Sequence, residues 1–444
     1  MKKVCLREFA RYVSLNVVGM IGLSCYILAD TFFVSKGLGS NGLAALNLAI
    51  PVYSFIHGTG LMLGMGGAAG YSMMKSQEKN EEANMIFSHT VVLMLFFAAL
   101  FVAAGLFGAG TITGLLGADE VVSDMCRTYL KVLLLFSPMF LVNDILLCFV
   151  RNDGAPQLSM AAMLIGSFSN IVLDYVFIFP LGMGIFGAVF ATGLAPVISL
   201  LVLSSYFIRK LNRFRLVKSV PGLKACGQIF GCGAASLVAE VSSGVVMIVF
   251  NTIMLGLQGN TGVAAYGVIA NLSLVILAVY TGIAQGIQPI ISRYYGIGRQ
   301  DNIRTILKYA VITVAVFSVL IYAIISGAAH QTAAVFNNEG NAGLESIAVE
   351  GIRIYFTACI FAGLNIVMSI YFASTDRTKP AGTISVLRGF IIIIPMAFLV
   401  SYLWKTTGLW LAFPITELIT AAVSLGLYLQ HCGRSYGLWP HRAR

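Results

Sequence analysis

Long apolar runs separated by short polar segments make up most of the chain. A membrane-spanning helix needs about 20 mostly apolar residues, and roughly twelve runs reach that length. They lie near residues 9–33, 43–74, 84–109, 126–149, 157–180, 185–207, 224–256, 262–292, 305–327, 346–373, 381–403 and 408–430. The pattern therefore predicts an all-α polytopic membrane protein with about twelve transmembrane helices.

The second half of the chain repeats the plan of the first. GLAALNLAI from Gly42 is similar to GVAAYGVIA from Gly262, and the polar segments at Glu81 and Asp301 keep the same spacing of 220 residues. Each half contains an even number of spans, so both halves enter the membrane from the same side. We expect two pseudo-symmetric lobes with a substrate path between them: an N-lobe, residues 1–215, and a C-lobe, residues 216–444.

Basic residues indicate the orientation of the helices. Of the 28 Lys and Arg residues, 23 fall in segments on one side of this topology, including Arg151, Arg388 and the linker from Arg209 to Lys224. Positively charged loops stay in the cytoplasm, so we expect a protein of the cytoplasmic (inner) membrane with both termini inside the cell. The net charge of +10 follows from these loops, and we expect no nucleic-acid partner.

The chain contains none of the common catalytic motifs. GxxxxGK[ST], HExxH and GxSxG are all missing, and the eight cysteines include no CxxC pair. We interpret the cysteines as packing residues. The sequence predicts no enzymatic activity and no cofactor apart from a coupling ion.

Acidic residues inside the apolar runs are the candidate functional groups, because an ionised carboxylate in a bilayer is costly unless it is paired, hydrated or protonated. Asp30 follows Tyr26 by four residues, Asp174 follows Asn170 by one helical turn, and Thr192 lies in the sixth run. Carboxylate, amide and hydroxyl oxygens suit a hard cation, and neighbouring acids also allow proton uptake. We predict a site for sodium or protons here; a sodium ion would be held by Asp30, Asn170, Asp174 and Thr192.

The second half carries two further acids within its apolar runs, Glu240 and Glu417. Each could line a cavity that faces a cationic substrate, or could instead join two helices by a hydrogen bond. Asp144 precedes Arg151 by seven residues, and we interpret it as part of a local polar contact. We interpret His57 as a packed or boundary histidine.

Several segments resemble the multidrug and toxic compound extrusion (MATE) family along nearly the whole chain. They are YILADTFFVSKGLGSNGLAALNLAIPVYSFI from Tyr26, SNIVLDYVFIFPLGMGIFGAVFATG from Ser169 and TGIAQGIQPIISRYYGIGRQDNIRTILKYA from Thr281. FASTDRTKPAGTISVLRG from Phe372 is most similar to the MepA-like branch, close to the DinF branch. The resemblance implies a V-shaped pair of six-helix lobes that alternate between inward-open and outward-open states. It also implies a first-lobe cation site at Tyr26, Asp30, Asn170, Asp174 and Thr192.

We therefore predict a secondary active efflux transporter that exchanges sodium or protons for small amphipathic, often cationic, drugs or metabolites. Its partners would be this organic substrate and the lipid bilayer, and we expect a monomer. Two alternatives stay open. One is a flippase for lipids or lipid-linked saccharides with the same superfold, whose cavity should be lined by basic side chains. The other is a passive channel, whose flux would not depend on an ion gradient.

Overall fold

The computed structural model describes residues 2–336 and 341–435, which contain helices and no β-strand. The end of the predicted C-lobe, with Arg442 and Arg444, lies outside the described residues. Ten stretches are long and apolar enough to cross a membrane. Two of them, Leu223–Gly296 with 74 residues and Thr378–Gln430 with 53, each contain a kink. Dividing both at their kinks gives twelve spans in the described part of the chain, which confirms the predicted fold class.

The spans are numbered here in chain order. The first six are α1 Val4–Gly39, α2 Asn41–Ser76, α3 Asn80–Leu115, α4 Glu120–Asn152, α5 Pro156–Ile178 and α6 Gly184–Ile208. The second six are α7 223–258, α8 260–296, α9 Gln300–Gly327, α10 Ala342–Ser374, α11 378–403 and α12 406–435. A short helix, Ala329–Phe336, lies between α9 and α10, and α3 and α11 contain π-helical turns at Ala104–Gly108 and Leu387–Ile391.

Equivalent glycines join the first two helices of each half. Gly39, with φ 68° and ψ −158°, separates α1 from α2, and Gly259, with φ 62° and ψ −153°, separates α7 from α8. Residues with a Cβ very rarely adopt this backbone conformation, so glycine is required at both positions. The two glycines are 220 residues apart, which is the spacing of the repeated segments.

Apolar side chains form two clusters that divide the helices between them. One cluster joins residues of α1 to α6, including Leu63, Leu133 and Phe149, together with one residue each of α7 and α8. The other joins residues of α7 to α12, including Tyr280 and Trp410, together with the first turns of α1. Below, N-lobe denotes α1 to α6 and C-lobe denotes α7 to α12.

The two lobes touch where α1 and α2 meet α7 and α8. A Cβ added to Gly233 on α7 would lie 1.8 Å from the carbonyl oxygen of Met62 on α2, and one on Gly66 would lie 2.0 Å from that of Ile229. Only glycine permits so close an approach of two backbones. These contacts lie toward the helix ends that carry the N-terminus and the linker 209–222, called the basic end here. The lobes are therefore closed at the basic end.

Two arginines assigned to loops in the sequence analysis lie within the helix bundle instead. Arg151 is in the last turn of α4 and is only 1% exposed. Arg388 is in the π-helical turn of α11, where it pairs with Glu417. Counting charges along the chain does not distinguish these arginines from loop residues, because both lie close to the ends of apolar runs.

Candidate functional site

Two carboxylic acids meet inside the N-lobe. Asp30 on α1 is 7% exposed and Asp174 on α5 is fully buried, and their carboxyl groups lie within hydrogen-bonding reach of each other. The two helices pack closely nearby, because a Cβ on Gly22 of α1 would lie 2.5 Å from a methyl group of Leu164 on α5. The structure thus brings together the two acids that the sequence analysis singled out.

Asn170 and Thr192 complete this group of side chains. Asn170 is fully buried one turn before Asp174. In the amide orientation that satisfies both of its polar atoms, its nitrogen donates to Asp174 Oδ2 over 3.0 Å and its oxygen accepts from the backbone N–H of Thr192 over 3.2 Å. The hydroxyl of Thr192 donates to the backbone carbonyl of Ala188 over 3.1 Å.

The acids retain oxygen atoms without hydrogen-bond partners. Asp30 Oδ1 and Asp174 Oδ1 are both buried, and neither accepts a hydrogen bond from a conventional donor. Two adjacent buried carboxylates repel each other, so the pair must either share a proton or bind a cation. Turning the Asn170 amide by half a rotation would place its oxygen beside Asp174, so the donor set also fits a small monovalent cation. The site can therefore hold either a proton or a cation.

Tyr26 takes part in a different contact from the one its spacing suggested. Its hydroxyl is hydrogen-bonded to the hydroxyl of Tyr53 on α2 over 2.7 Å, and not to either carboxyl group. The Tyr53 ring stacks on His57, with 5.8 Å between ring centroids and 9° between planes. His57 Nδ1 lies 2.9 Å from Asp144 Oδ2 on α4. The contacts from Tyr26 to Asp144 thus form a polar chain that extends from the acid pair toward the lobe contact.

Sequence reasoning missed the roles of Tyr53, His57 and Asp144 in this network. Asp144 pairs with His57 rather than making a local contact with Arg151. A signal was present, because a histidine and an acid inside apolar runs are expected to find polar partners. Which helices meet is decided by tertiary packing, however, and the spacing within one helix favoured the wrong partner.

A small cavity lies next to these groups, mostly within the N-lobe and bounded by Gln285 of the C-lobe. Tyr26 and Thr192 lie on one part of its wall, and Asn143, Asp144 and Arg151 lie on another. It offers about 70 Å³ to water-sized molecules. A buried water needs about 10–15 Å³ by this measure, so the cavity has room for several waters or an ion and is too small for a drug-sized molecule.

The two C-lobe acids lie in separate environments. Glu240 on α7 is partly buried, and its charge faces His57 and Asp144 across the lobe contact. Glu417 on α12 is 1% exposed and accepts from the Arg388 guanidinium over 2.7 and 3.0 Å and from Asn365 Nδ2 over 2.7 Å. Glu417 therefore joins α10, α11 and α12, whereas Glu240 lies at the contact between the lobes.

Known proteins share both sequence and fold with this chain. The MatE family model matches residues 17–176 and 235–399. Multidrug export protein MepA of Staphylococcus saprophyticus is 26% identical over 416 residues, which are 93% of this chain and 91% of the relative. Multidrug export protein MepA of Staphylococcus aureus strain MRSA252 is 23% identical over 418 residues, with the same two coverages.

Solved structures show the same fold. A crystal structure of MATE in complex with MaL6 superposes with a TM-score of 0.88 at 22% identity and covers 94% of both chains. A MOP superfamily transporter from Pyrococcus furiosus, described as having a binding pocket of reverse polarity, gives 0.88 at 22% identity and covers 96% of both chains. An outward-facing multidrug resistance MATE family transporter gives 0.87 at 23% identity, covering 94% of this chain and 93% of its own.

Proposed function

This chain belongs to the MatE family, whose members are transporters rather than enzymes, and from that premise we propose that it is an ion-coupled exporter of small organic compounds. It would use the inward flow of sodium or protons to drive an amphipathic, often cationic, drug or metabolite out of the cell. We further propose that it acts as a monomer in the cytoplasmic membrane with both termini in the cytoplasm. The MepA relatives, named as multidrug export proteins, support this substrate class.

The observation that carries the proposal is the pair of buried carboxyl groups of Asp30 and Asp174. Each has an oxygen without a hydrogen-bond partner, and the two groups are within reach of each other. An intramembrane acid that binds a proton or cation reversibly is the usual basis of ion coupling in secondary transporters. The adjoining cavity supports the same role, because it admits an ion or water but no drug.

Coupling requires that the ion and the substrate favour different states of the protein. A ligand that binds both states equally shifts neither, so the ion must bind one arrangement of the lobes more tightly. Asp30 belongs to α1, which also forms part of the lobe contact through Val13 and Val17. Binding of a proton or a cation to the acid pair therefore acts on α1, the helix that belongs to both the site and the lobe contact.

The substrate would bind between the lobes rather than inside the N-lobe. Glu240 reaches toward His57 and Asp144 from the opposite lobe, and its carboxylate would attract a cationic group there. The flippase alternative requires basic side chains facing the central space. The two arginines inside the bundle are engaged instead, Arg388 with Glu417 and Arg151 with amide oxygens. These contacts support the exporter over the flippase.

Transport in proteoliposomes tests the proposal. A fluorescent cationic dye is exported from vesicles on which sodium and pH gradients are imposed separately. We expect export by the wild-type protein to follow at least one gradient and to lose that dependence in Asp30→Asn and Asp174→Asn. Asp119→Asn is the matched control, because Asp119 caps α4 and asparagine is an equally good cap. Export that ignores both gradients in the wild type would refute ion coupling and favour the flippase or channel.

A further inference from the structure

Arg151 is a buried positive charge held by neutral partners. Its Nη1 donates to Asn16 Oδ1 over 2.6 Å and to Gln285 Oε1 over 2.9 Å. Its Nη2 contacts the sulfur atoms of Met65 at 3.3 Å and Cys148 at 3.5 Å. Its Nε is buried without a hydrogen-bond partner. A buried charge without a counter-charge is destabilising, so stability alone does not explain an arginine here.

The partners of Arg151 come from both lobes. Asn16 is on α1 of the N-lobe, whereas Gln285 is on α8 of the C-lobe. The next residue, Asn152, donates to Gln288 Oε1 over 2.8 Å and so binds the same C-lobe helix. Separation of the lobes at the basic end would break both contacts. The position of the guanidinium therefore depends on the arrangement of the lobes.

Arg151 also lies on the wall of the N-lobe cavity. The cavity is lined by Tyr26 and Thr192 beside the acid pair, and by Arg151 and Gln285 at the lobe contact near the basic end. A cation that left the acid pair through this cavity toward the basic end would come close to the guanidinium. A fixed positive charge on the wall of such a path opposes the passage of cations.

From these observations we propose that Arg151 is the inner gate on the path of the coupling ion. While its guanidinium is bound to Asn16 and Gln285, it separates the acid pair from the basic end. When the lobes part at that end, Gln285 moves away, the guanidinium is released, and the ion can leave to the cytoplasm. The inference rests on the proposed ion coupling and adds the reason why an ion cannot cross without a change of lobe arrangement.

Ion leak without substrate tests the gate. Proton and sodium entry into proteoliposomes are measured for the wild type and for Arg151→Met, which keeps a long side chain and removes the charge. We expect Arg151→Met to raise the leak by about tenfold or more, because the repulsion of a cation by the guanidinium is lost. Arg127→Met is the matched control, because Arg127 is an exposed arginine at the other end of α4, and its leak should equal that of the wild type.

A second variant leaves Arg151 in place and changes only its C-lobe partner. Cys148, which is 2% exposed and lies beside the guanidinium, serves as the reporter in a chain whose other cysteines are replaced by serine. We expect Gln285→Leu to increase labelling of Cys148 by a cationic thiol reagent, added from the basic end, by several-fold. This measurement decides the matter even if Arg151→Met fails to fold.

The gate and the coupling can fail separately. If wild-type export follows an ion gradient but Arg151→Met does not leak and Gln285→Leu leaves Cys148 protected, the gate is refuted and the coupling stands. If wild-type export ignores both gradients, the proposed function fails and the gate fails with it. A leak in Arg151→Met together with exposed Cys148 in Gln285→Leu supports the gate.

Discussion

The contact between Gly233 and Met62 predicts that one added methyl group opens the lobes at the basic end. In Gly233→Ala the new Cβ would lie 1.8 Å from the Met62 carbonyl oxygen and 2.9 Å from its Cα. These are backbone atoms, so α2 and α7 must move apart by roughly 1.5 Å to reach ordinary contact. Overpacking of this kind costs about 1–3 kcal/mol. The cost falls on the arrangement closed at the basic end and not on one in which these helices are separated.

The population shift follows from this cost. A difference of about 1.4 kcal/mol changes an equilibrium tenfold, so the closed arrangement should lose about five-fold to over a hundred-fold in relative population. Spin labels at Glu81→Cys and Asp301→Cys report the distance across the basic end, since both residues are exposed in the first turns of α3 and α9. We expect pulsed electron paramagnetic resonance to show a longer distance between the two labels in Gly233→Ala than in the unsubstituted protein.

The control for this experiment is Gly227→Ala. Gly227 lies on the same helix, and a Cβ there would meet no atom within 4 Å. Its distance distribution should match that of the unsubstituted, doubly labelled protein. An unchanged distribution in Gly233→Ala would refute the reasoning, because it would mean that the two backbones adjust locally without any movement of the lobes.

Three further substitutions test the packing described above. Arg388→Met leaves Glu417 buried without its partner, so we expect a loss of about 3–5 kcal/mol, measured as a lower melting temperature in detergent and largely recovered when Glu417→Gln is added. Gly259→Ala forces a Cβ into a glycine backbone conformation at a cost of about 1–3 kcal/mol. Gly256→Ala, in the last turn of α7 and with no atom within 4 Å of its Cβ, should not destabilise the protein. Asp153 accepts from the Tyr71 and Tyr206 hydroxyls and from the Arg213 backbone N–H. Asp153→Asn removes the charge of this acceptor, so trypsin should cut the linker 209–222 several-fold faster. An unchanged rate would show that Asp153 does not anchor the linker.

The hydrophobic pattern was sufficient to predict the architecture. Twelve apolar runs became twelve spans because a bilayer helix has one feasible length and must satisfy its own backbone hydrogen bonds. The repeat spacing of 220 residues, seen in GLAALNLAI and GVAAYGVIA, recurs in the structure between Gly39 and Gly259. Both inferences depend on the local chain and the bilayer, and little on how helices pack.

The candidate site could be predicted only in part. Asp30, Asn170 and Asp174 meet because two of them share a helical face and acids in apolar runs rarely lack polar partners. The pairing of His57 with Asp144 could not be read from the chain, since it depends on the contact between α2 and α4. The same applies to Arg151, whose burial results from contacts with α1 and α8 that no spacing in the sequence reveals.

Obligatory exchange of substrate for an ion can be measured without imposing any ion gradient. Proteoliposomes are loaded with a cationic dye at equal pH and equal sodium on both sides, and the movement of protons and sodium is followed as the dye leaves. Because coupling is reciprocal, dye leaving the wild-type vesicles should drive protons or sodium inward against a growing gradient, and Asp174→Asn should abolish this ion movement. Dye that leaves the wild-type vesicles through the protein with neither ion moving, or ion movement that is undiminished in Asp174→Asn, would contradict ion coupling at the Asp30 and Asp174 pair.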